Sequence, residues 1–66
     1  MNEIMEALVT ERESGMIVAH YVGVVKIKDT FDERGLLCYC IILKDGSTAT
    51  FNKIDHKVYK KVWTDA

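Results

Sequence analysis

Proline is absent from this 66-residue chain, and cysteine occurs only twice. Without proline, no residue lacks the backbone N–H group that helices and sheets use, so regular structure can run over most of the length. The two cysteines, Cys38 and Cys40, are one residue apart, which on a strand puts their α-carbons near the ~7 Å limit for a disulfide. We therefore expect free thiols and a reducing compartment.

Long apolar runs and a basic leader are also missing. The apolar runs fall far short of the ~20 residues that a membrane-spanning helix needs. The start Met1-Asn2-Glu3 lacks the positive charge of a secretory signal peptide. The content of 48% hydrophobic and 29% charged residues is that of an ordinary folded chain. The sequence therefore predicts a cytoplasmic protein with no membrane contact.

Asp45-Gly46 is the clearest local signal in the chain. It follows the apolar run 36–43 and precedes the alternating segment 47–52, which is typical of a hairpin with a two-residue type I′ turn. That turn predicts that opposed residues have numbers summing to 91, with Cys40 facing Phe51. One face then carries Leu36, Cys38, Cys40, Ile42, Ala49 and Phe51 as core, and the other carries Leu37, Tyr39, Ile41, Leu43, Thr48, Thr50 and Asn52.

The N-terminal segment favours a helix over residues 3–13. Asn2 is a suitable N-cap, Glu3 and Glu6 suit the positive end of the helix dipole, and Ile4 and Leu8 lie at helical spacing. The rival interpretation is a strand through residues 7–10.

Strands are predicted at about 16–28, 36–44, 47–52 and 57–63. Gly23 indicates a bend that lets the first, long strand serve two parts of a curled sheet. Residues 32–35 are typical of a type I turn that ends in a glycine bulge. The segment 56–63 has both helical and strand features, and we favour a turn at 52–55 followed by a strand.

The predicted architecture is α+β and mainly β, in one domain that spans residues 1–66. An N-terminal helix is followed by an antiparallel meander of three or four strands. Such a meander curls into a small SH3-like barrel or stays an open sheet with the helix on one face.

The row Leu37, Tyr39, Ile41 and Leu43 is the first candidate site. With both faces of residues 36–43 apolar, a chain this small has few elements to bury the second one. We therefore predict a protein interface at this row and a homodimer. The implied function is a small, non-enzymatic interaction or regulatory module that binds protein and self-associates.

A second candidate site is the basic and aromatic set Lys57, Tyr59, Lys61 and Trp63. On a strand these four residues share a face, where rings could stack on bases and ammonium groups could reach phosphates. The alternative function is therefore a nucleic-acid-binding regulator. The net charge of −1 and the lack of arginine in the set oppose it, and the lysines could instead protect an edge strand.

Cys38, Cys40, His20 and His56 include enough ligand types for a zinc site. The cysteines, however, lie inside an apolar strand rather than in a tight turn, so we interpret them as small buried side chains. No catalytic constellation can be assembled from the remaining residues. We predict no enzyme activity, no metal and no cofactor.

Overall fold

The computed structural model describes residues 2–65, without the side chains of Asn2 and Asp65. This part of the chain forms six strands: β1 (Asn2–Glu11), β2 (Ile17–Val22), β3 (Val24–Phe31), β4 (Leu37–Leu43), β5 (Thr48–Asn52) and β6 (His56–Asp65). The first sheet has the order β2-β1-β6 and the second the order β3-β4-β5, and every pairing is antiparallel. Within the same range, no helix has the length and apolarity that a membrane span requires.

The predicted N-terminal helix over residues 3–13 is wrong, because this segment is the central strand of the first sheet. β1 pairs with β2 on one side and with β6 on the other. Ala7 and Val9 are fully buried, and they alternate with Glu6 and Leu8 at the period of a strand. The spacing of Ile4 and Leu8 misled the prediction, since residues four apart share a face on a strand as well as on a helix.

Gly23 divides one long strand between the two sheets, as the sequence predicts. β2 ends just before it in the first sheet, and β3 begins just after it in the second. Its φ of 76° lies in the left-handed region. Glycine adopts this conformation freely, whereas a residue with a Cβ atom is destabilised there. The bend therefore depends on this glycine.

The β4–β5 hairpin forms, but its register differs from the prediction by one residue. The N–H of Gly46 donates to the carbonyl of Leu43, and the N–H of Leu43 donates to the carbonyl of Ser47. Gly46 has a φ of 88°, whereas no non-glycine residue in the described range has a positive φ. A type I′ turn needs a positive φ at Asp45 too, so this is a three-residue loop with a glycine bulge. Tyr39 accordingly faces Phe51.

This one-residue shift exchanges the two faces of β4 relative to β5, while Ala49 and Phe51 of β5 stay on the core side as predicted. Ile41 is fully buried in the core beside Ala7, Val9 and Val24. The side chains packed around this cluster include Met5, Ala19, Tyr21, Ile27, Leu43, Ala49, Phe51 and Val58. The row that begins at Leu37 thus points toward the first sheet, and Cys38, Cys40 and Ile42 point the opposite way.

The remaining turns and the last strand follow the sequence pattern. The N–H of Gly35 donates to the carbonyl of Asp32, and Gly35 has a φ of 81°, as predicted for the glycine bulge there. Residues 53–55 form the predicted turn, in which the side chain of Asn52 accepts a hydrogen bond from the N–H of Asp55. β6 is a strand throughout.

The fold class is therefore all-β, with two three-stranded sheets instead of a helix and a meander. In the part of the chain that the structure describes, β5 pairs only with β4 and β6 only with β1, so no barrel closes. The body is elongated, with extents of 41 × 25 × 14 Å. In the described range, no further strand pairs with the outer edges of β2, β6, β3 and β5.

Candidate functional site

The outer face of the first sheet gathers alternate residues of its three strands. The registers place Ile4 beside Trp63, Glu6 between Val22 and Lys61, and Leu8 between His20 and Tyr59. We call this surface the Trp63 face, and its members are Ile4, Glu6, Leu8, His20, Val22, Lys57, Tyr59, Lys61 and Trp63. It lies opposite the core side of the sheet, where Ala7 and Val9 are buried.

Glu6 is the polar centre of the Trp63 face. One carboxylate oxygen accepts a hydrogen bond from Nε1 of Trp63 at 2.7 Å. The other lies 3.0 Å from Nε2 of His20. The hydrogen bond from Trp63 lowers the pKa of Glu6 most, and the bond to His20 and the positive charges of His20 and Lys61 lower the pKa further.

Three strands meet through this one carboxylate, since Glu6 lies on β1, His20 on β2 and Trp63 on β6. The indole ring is held in a fixed orientation although Trp63 is 40% exposed. A ring restrained by such a bond has less rotamer entropy to lose when its surface is covered.

The basic and aromatic residues predicted from the sequence all lie on the Trp63 face. Lys57, Tyr59, Lys61 and Trp63 alternate along β6 and point away from the core. The ammonium of Lys57 lies 4.9 Å from the centre of the Tyr59 ring, within the range of a cation–π contact. These four side chains therefore form one exposed stripe on the outer strand.

A shallow depression of about 270 Å³ opens on the same face, and its lining includes Glu6, Leu8, His20 and Tyr59. A catalytic site usually encloses its substrate in a deeper cleft. The Glu6 carboxylate and the His20 imidazole are the polar groups of this lining that contact each other.

Glu6, Leu8 and His20 are members of the site that the sequence analysis did not assign to it. The predicted helix left Glu6 and Leu8 unpaired with β6. In the structure Glu6 is hydrogen-bonded to Trp63, which lies 57 residues later in the chain. Residues 4–9 are apolar at every position except Glu6. The alternation of apolar and polar residues that indicates a strand with an outer face is therefore absent from this segment.

The predicted interface row on β4 lies largely inside the molecule. Ile41 is fully buried, and Leu43 packs against the core cluster. Tyr39 is half-buried beneath the ammonium of Lys53, which lies 4.8 Å from its ring centre. Leu37 alone is exposed, opposite the exposed Phe31 of β3. The first sheet therefore buries most of this row, which the sequence analysis had expected to be exposed.

Cys38 and Cys40 are free and buried. They lie on the outer side of the second sheet, where Thr30 and Lys28 face them from β3. His20 is on the other sheet, so the four residues considered as zinc ligands are not brought together, in agreement with the interpretation of the cysteines as buried side chains. Among residues 2–65 no three histidine, cysteine or acidic side chains are placed to hold a metal ion.

A larger depression, of about 500 Å³, lies between the β1–β2 and β5–β6 turns. The N–H of Arg12 donates to the carbonyl of Asp55 at 2.8 Å, and Nε donates to the carbonyl of Lys53 at 2.7 Å. Because the guanidinium is engaged with backbone, Arg12 joins two turns of the fold.

Comparisons of the chain with protein-family models, curated proteins and solved structures find no match.

Proposed function

We propose that this protein is a small, non-enzymatic, cytoplasmic interaction module that binds protein through the Trp63 face and self-associates there. One observation carries the proposal. Val22 is 58% exposed, Tyr59 49% and Trp63 40%, and all three belong to one face. In the described part of the chain no further element packs on it. Exposed apolar and aromatic side chains that gather on one face indicate a site of protein interaction.

The size of the core supports the same proposal. The chain exposes 4742 Å², whereas a compact monomer of this size exposes about 4,200 Å². Only Ile41 and Val9 among the larger described side chains are completely buried. A domain with so little core gains stability when a partner covers further apolar surface.

The chemistry of the face favours protein as the partner. Aromatic rings with a few polar groups between them are typical of the centre of protein interfaces. The face carries one acidic group, Glu6, and two basic groups, Lys57 and Lys61. A symmetric pairing that sets a lysine of one copy against Glu6 of the other is electrostatically favourable, and it covers the apolar surface of both copies.

Sedimentation velocity over a range of protein concentrations tests the self-association. We expect a dimer that Val22→Lys weakens by about tenfold or more, because a buried lysine on the face is costly. Val25→Lys is the matched control, since Val25 is also 58% exposed but lies on β3. A strictly monomeric wild-type protein, or equal effects of the two variants, would refute self-association through this face.

Nucleic-acid binding by the same face is the second candidate function. The stacking of Lys57 on Tyr59 and the exposure of both rings on β6 favour it, since alternating rings and ammonium groups suit a single strand. Titration with oligothymidine at low salt should then quench Trp63 fluorescence, and added salt should reverse the quenching. Lys61→Ala should weaken the binding, whereas Lys28→Ala on the second sheet should not.

A further inference from the structure

The free edge of β6 is a surface distinct from the Trp63 face. β6 pairs with β1 over ten residues without a register shift. It is the last strand of the first sheet. In the described part of the chain its other side has no strand partner. An unpaired strand edge presents N–H and C=O groups to which another strand can bond.

The ladder determines which backbone groups face outward along this edge. The bond from the N–H of Arg12 to the carbonyl of Asp55 extends the β1–β6 register by one pair. In an antiparallel ladder, hydrogen-bonded pairs alternate with non-bonded pairs. The bonded pairs are therefore Thr10–Lys57, Leu8–Tyr59, Glu6–Lys61 and Ile4–Trp63. The outward N–H and C=O groups belong to the residues between these pairs, of which Val58, Lys60 and Val62 form the middle of the edge.

Positive charge flanks these outward groups on both faces of the sheet. Lys57 and Lys61 lie on the outer face, and Lys60 lies on the inner face. Residues 56–64 contain no acidic side chain. The ion pairs among the described residues involve His20, Arg34 and Lys53, so none of the three β6 ammonium groups is paired within them.

The other sheet edges are less suited to a long added strand. The pairing of β1 with β2 shifts register near Thr10, and that of β3 with β4 shifts near Val25. Bulges of this kind interrupt the regular spacing of edge groups. β5 is regular but has only five residues. β6 combines length, regularity and three ammonium groups that form no salt bridge within the described residues.

We propose that the β6 edge binds an extended acidic segment of a partner protein as an added strand. The proposal rests on the protein-binding function proposed above and names the partner's chemistry. The backbone of Val58, Lys60 and Val62 supplies the hydrogen bonds. The carboxylates of the added strand pair with Lys57 and Lys61 on one face and with Lys60 on the other. Tyr59 and Trp63 flank the apolar residues between those carboxylates.

A second copy of β6 fits this edge poorly. A two-fold axis that pairs two copies of β6 antiparallel leaves their outer faces on the same side of the sheet. Opposed residues must then come from the same face, so their numbers add up to an even sum. The two such registers with the longest overlap place Lys60 opposite Lys60 or Lys61 opposite Lys61. Like charges directly opposed across strands are destabilising. The charge pattern thus selects an acidic strand over self-pairing at the edge, and it leaves self-association to the Trp63 face.

The probe is a capped synthetic peptide that contains the sequence Val-Val-Glu-Glu-Val-Val-Glu. As an antiparallel added strand it places its glutamates opposite Lys61, Lys60 and Lys57, and its valines opposite the rings and the remaining positions. Titration followed by ¹H–¹⁵N NMR should give saturable binding, with the largest amide shifts at Val58, Lys60 and Val62. Affinity should fall about tenfold or more when salt rises from about 50 to 500 mM. The same peptide with lysine in place of glutamate should not bind.

Val62→Pro provides the decisive variant. Proline at this position removes an outward N–H and spares the ladder with β1. We expect Val62→Pro to abolish peptide binding and Val62→Thr, which keeps the N–H and the side-chain shape, to retain it. Unchanged dispersion of the β1 amide signals would show that both variants are folded.

Three results would overturn the proposal. The first is peptide binding to Val62→Pro as tight as to the wild type, and the second is equal binding of the lysine peptide. The third is a set of shifts confined to the Trp63 face, which would assign the peptide to that face. Failure of the peptide to bind while Val22→Lys still disrupts the dimer would refute the edge site alone. Peptide binding to a strictly monomeric protein would refute only self-association.

Discussion

Nε1 of Trp63 donates a hydrogen bond to the carboxylate of Glu6 at 2.7 Å, although the residue directly opposite Glu6 in the ladder is Lys61. The contact is therefore diagonal, two residues along β6. Because the same carboxylate also meets His20, it connects all three strands of the first sheet on their outer side. This group links the orientation of the indole to the protonation of a single acid.

The first prediction concerns the acid dependence of Trp63 fluorescence. The pKa of Glu6 is lowered by the hydrogen bond from Trp63, and then by His20. A carboxyl whose pKa is lower in the folded state contributes stability above its unfolded pKa, and that contribution is lost as the pH falls through the folded value. We expect the fluorescence of the folded protein to change at a pH below the ordinary range of glutamate, in a fluorescence-detected pH titration.

Glu6→Gln should remove this acid transition, because the amide still accepts a hydrogen bond but does not titrate. Glu3→Gln is the control, since Glu3 lies on the other side of β1 and should leave the transition in place. A transition that persists in Glu6→Gln would show that another group controls the indole.

The second prediction separates the two faces of β4. Ile41 is fully buried in the core, whereas Ile42 is half-buried on the opposite side of the strand. Ile41→Val should lower the free energy of unfolding by about 1 kcal/mol, and Ile42→Val by less than about half of that. Ile41→Ala should cost about 2–5 kcal/mol, enough to unfold much of so small a domain. Urea denaturation measures all three.

A larger effect of Ile42→Val than of Ile41→Val would restore the face assignment that the Asp45-Gly46 dipeptide suggested. It would also mean that the hairpin register is the two-residue type after all.

Local signals predicted most of the turns and the approximate positions of the strands after residue 15, but they gave the wrong loop type at Asp45-Gly46 and failed where long-range pairing decides. Gly23, Gly35 and the 53–55 turn are recognisable because a few neighbouring residues determine them. β1 is different, since its strand state depends on β6, which begins some fifty residues later. Its charges and its apolar spacing suit a helix nearly as well, and only pairing on both sides selects the strand.

The third prediction tests the loop that determines the hairpin register. Gly46 has a φ of 88°, and a Cβ atom there would meet no other atom within 4 Å. The cost of Gly46→Ala is therefore conformational, about 1–2 kcal/mol. Gly46→Asn should cost less, because asparagine tolerates this conformation. Chemical denaturation of the three proteins checks the order, and a neutral Gly46→Ala would mean that the loop closes through a different turn.

The candidate site was predicted only in part, because local spacing reveals the residues of one strand but not the strands that pair with it. Lys57, Tyr59, Lys61 and Trp63 share a face by the simple alternation of one strand, which sequence spacing contains. Their association with Glu6 and His20 depends on which strands pair and in which register. Register in turn depends on the glycine bulge and on the burial of Ala7 and Val9, which spacing along β6 does not reveal.

The fourth prediction concerns the two-stranded end of the first sheet. β2 pairs with β1 only over residues 6–10, so residues 2–5 of β1 are paired with β6 alone. Two-stranded ribbons are marginally stable in water. The ladder alternation makes Ile4 and Leu8 a matched pair, because the N–H of each bonds to β6. We expect the amide of Ile4 to exchange with solvent at least about tenfold faster than that of Leu8.

Hydrogen exchange measured by NMR at several protein concentrations gives both rates. Covering the Trp63 face or adding a strand to β6 should slow Ile4 far more than Leu8, because a partner supplies the ribbon with contacts that β2 already gives to the middle of the sheet. The Ile4 rate should thus depend on protein or peptide concentration while the Leu8 rate stays nearly constant. Equal protection of the two amides in dilute protein would show that the ribbon is stable without a partner, and the case for an unsatisfied surface at this end of the molecule would be lost.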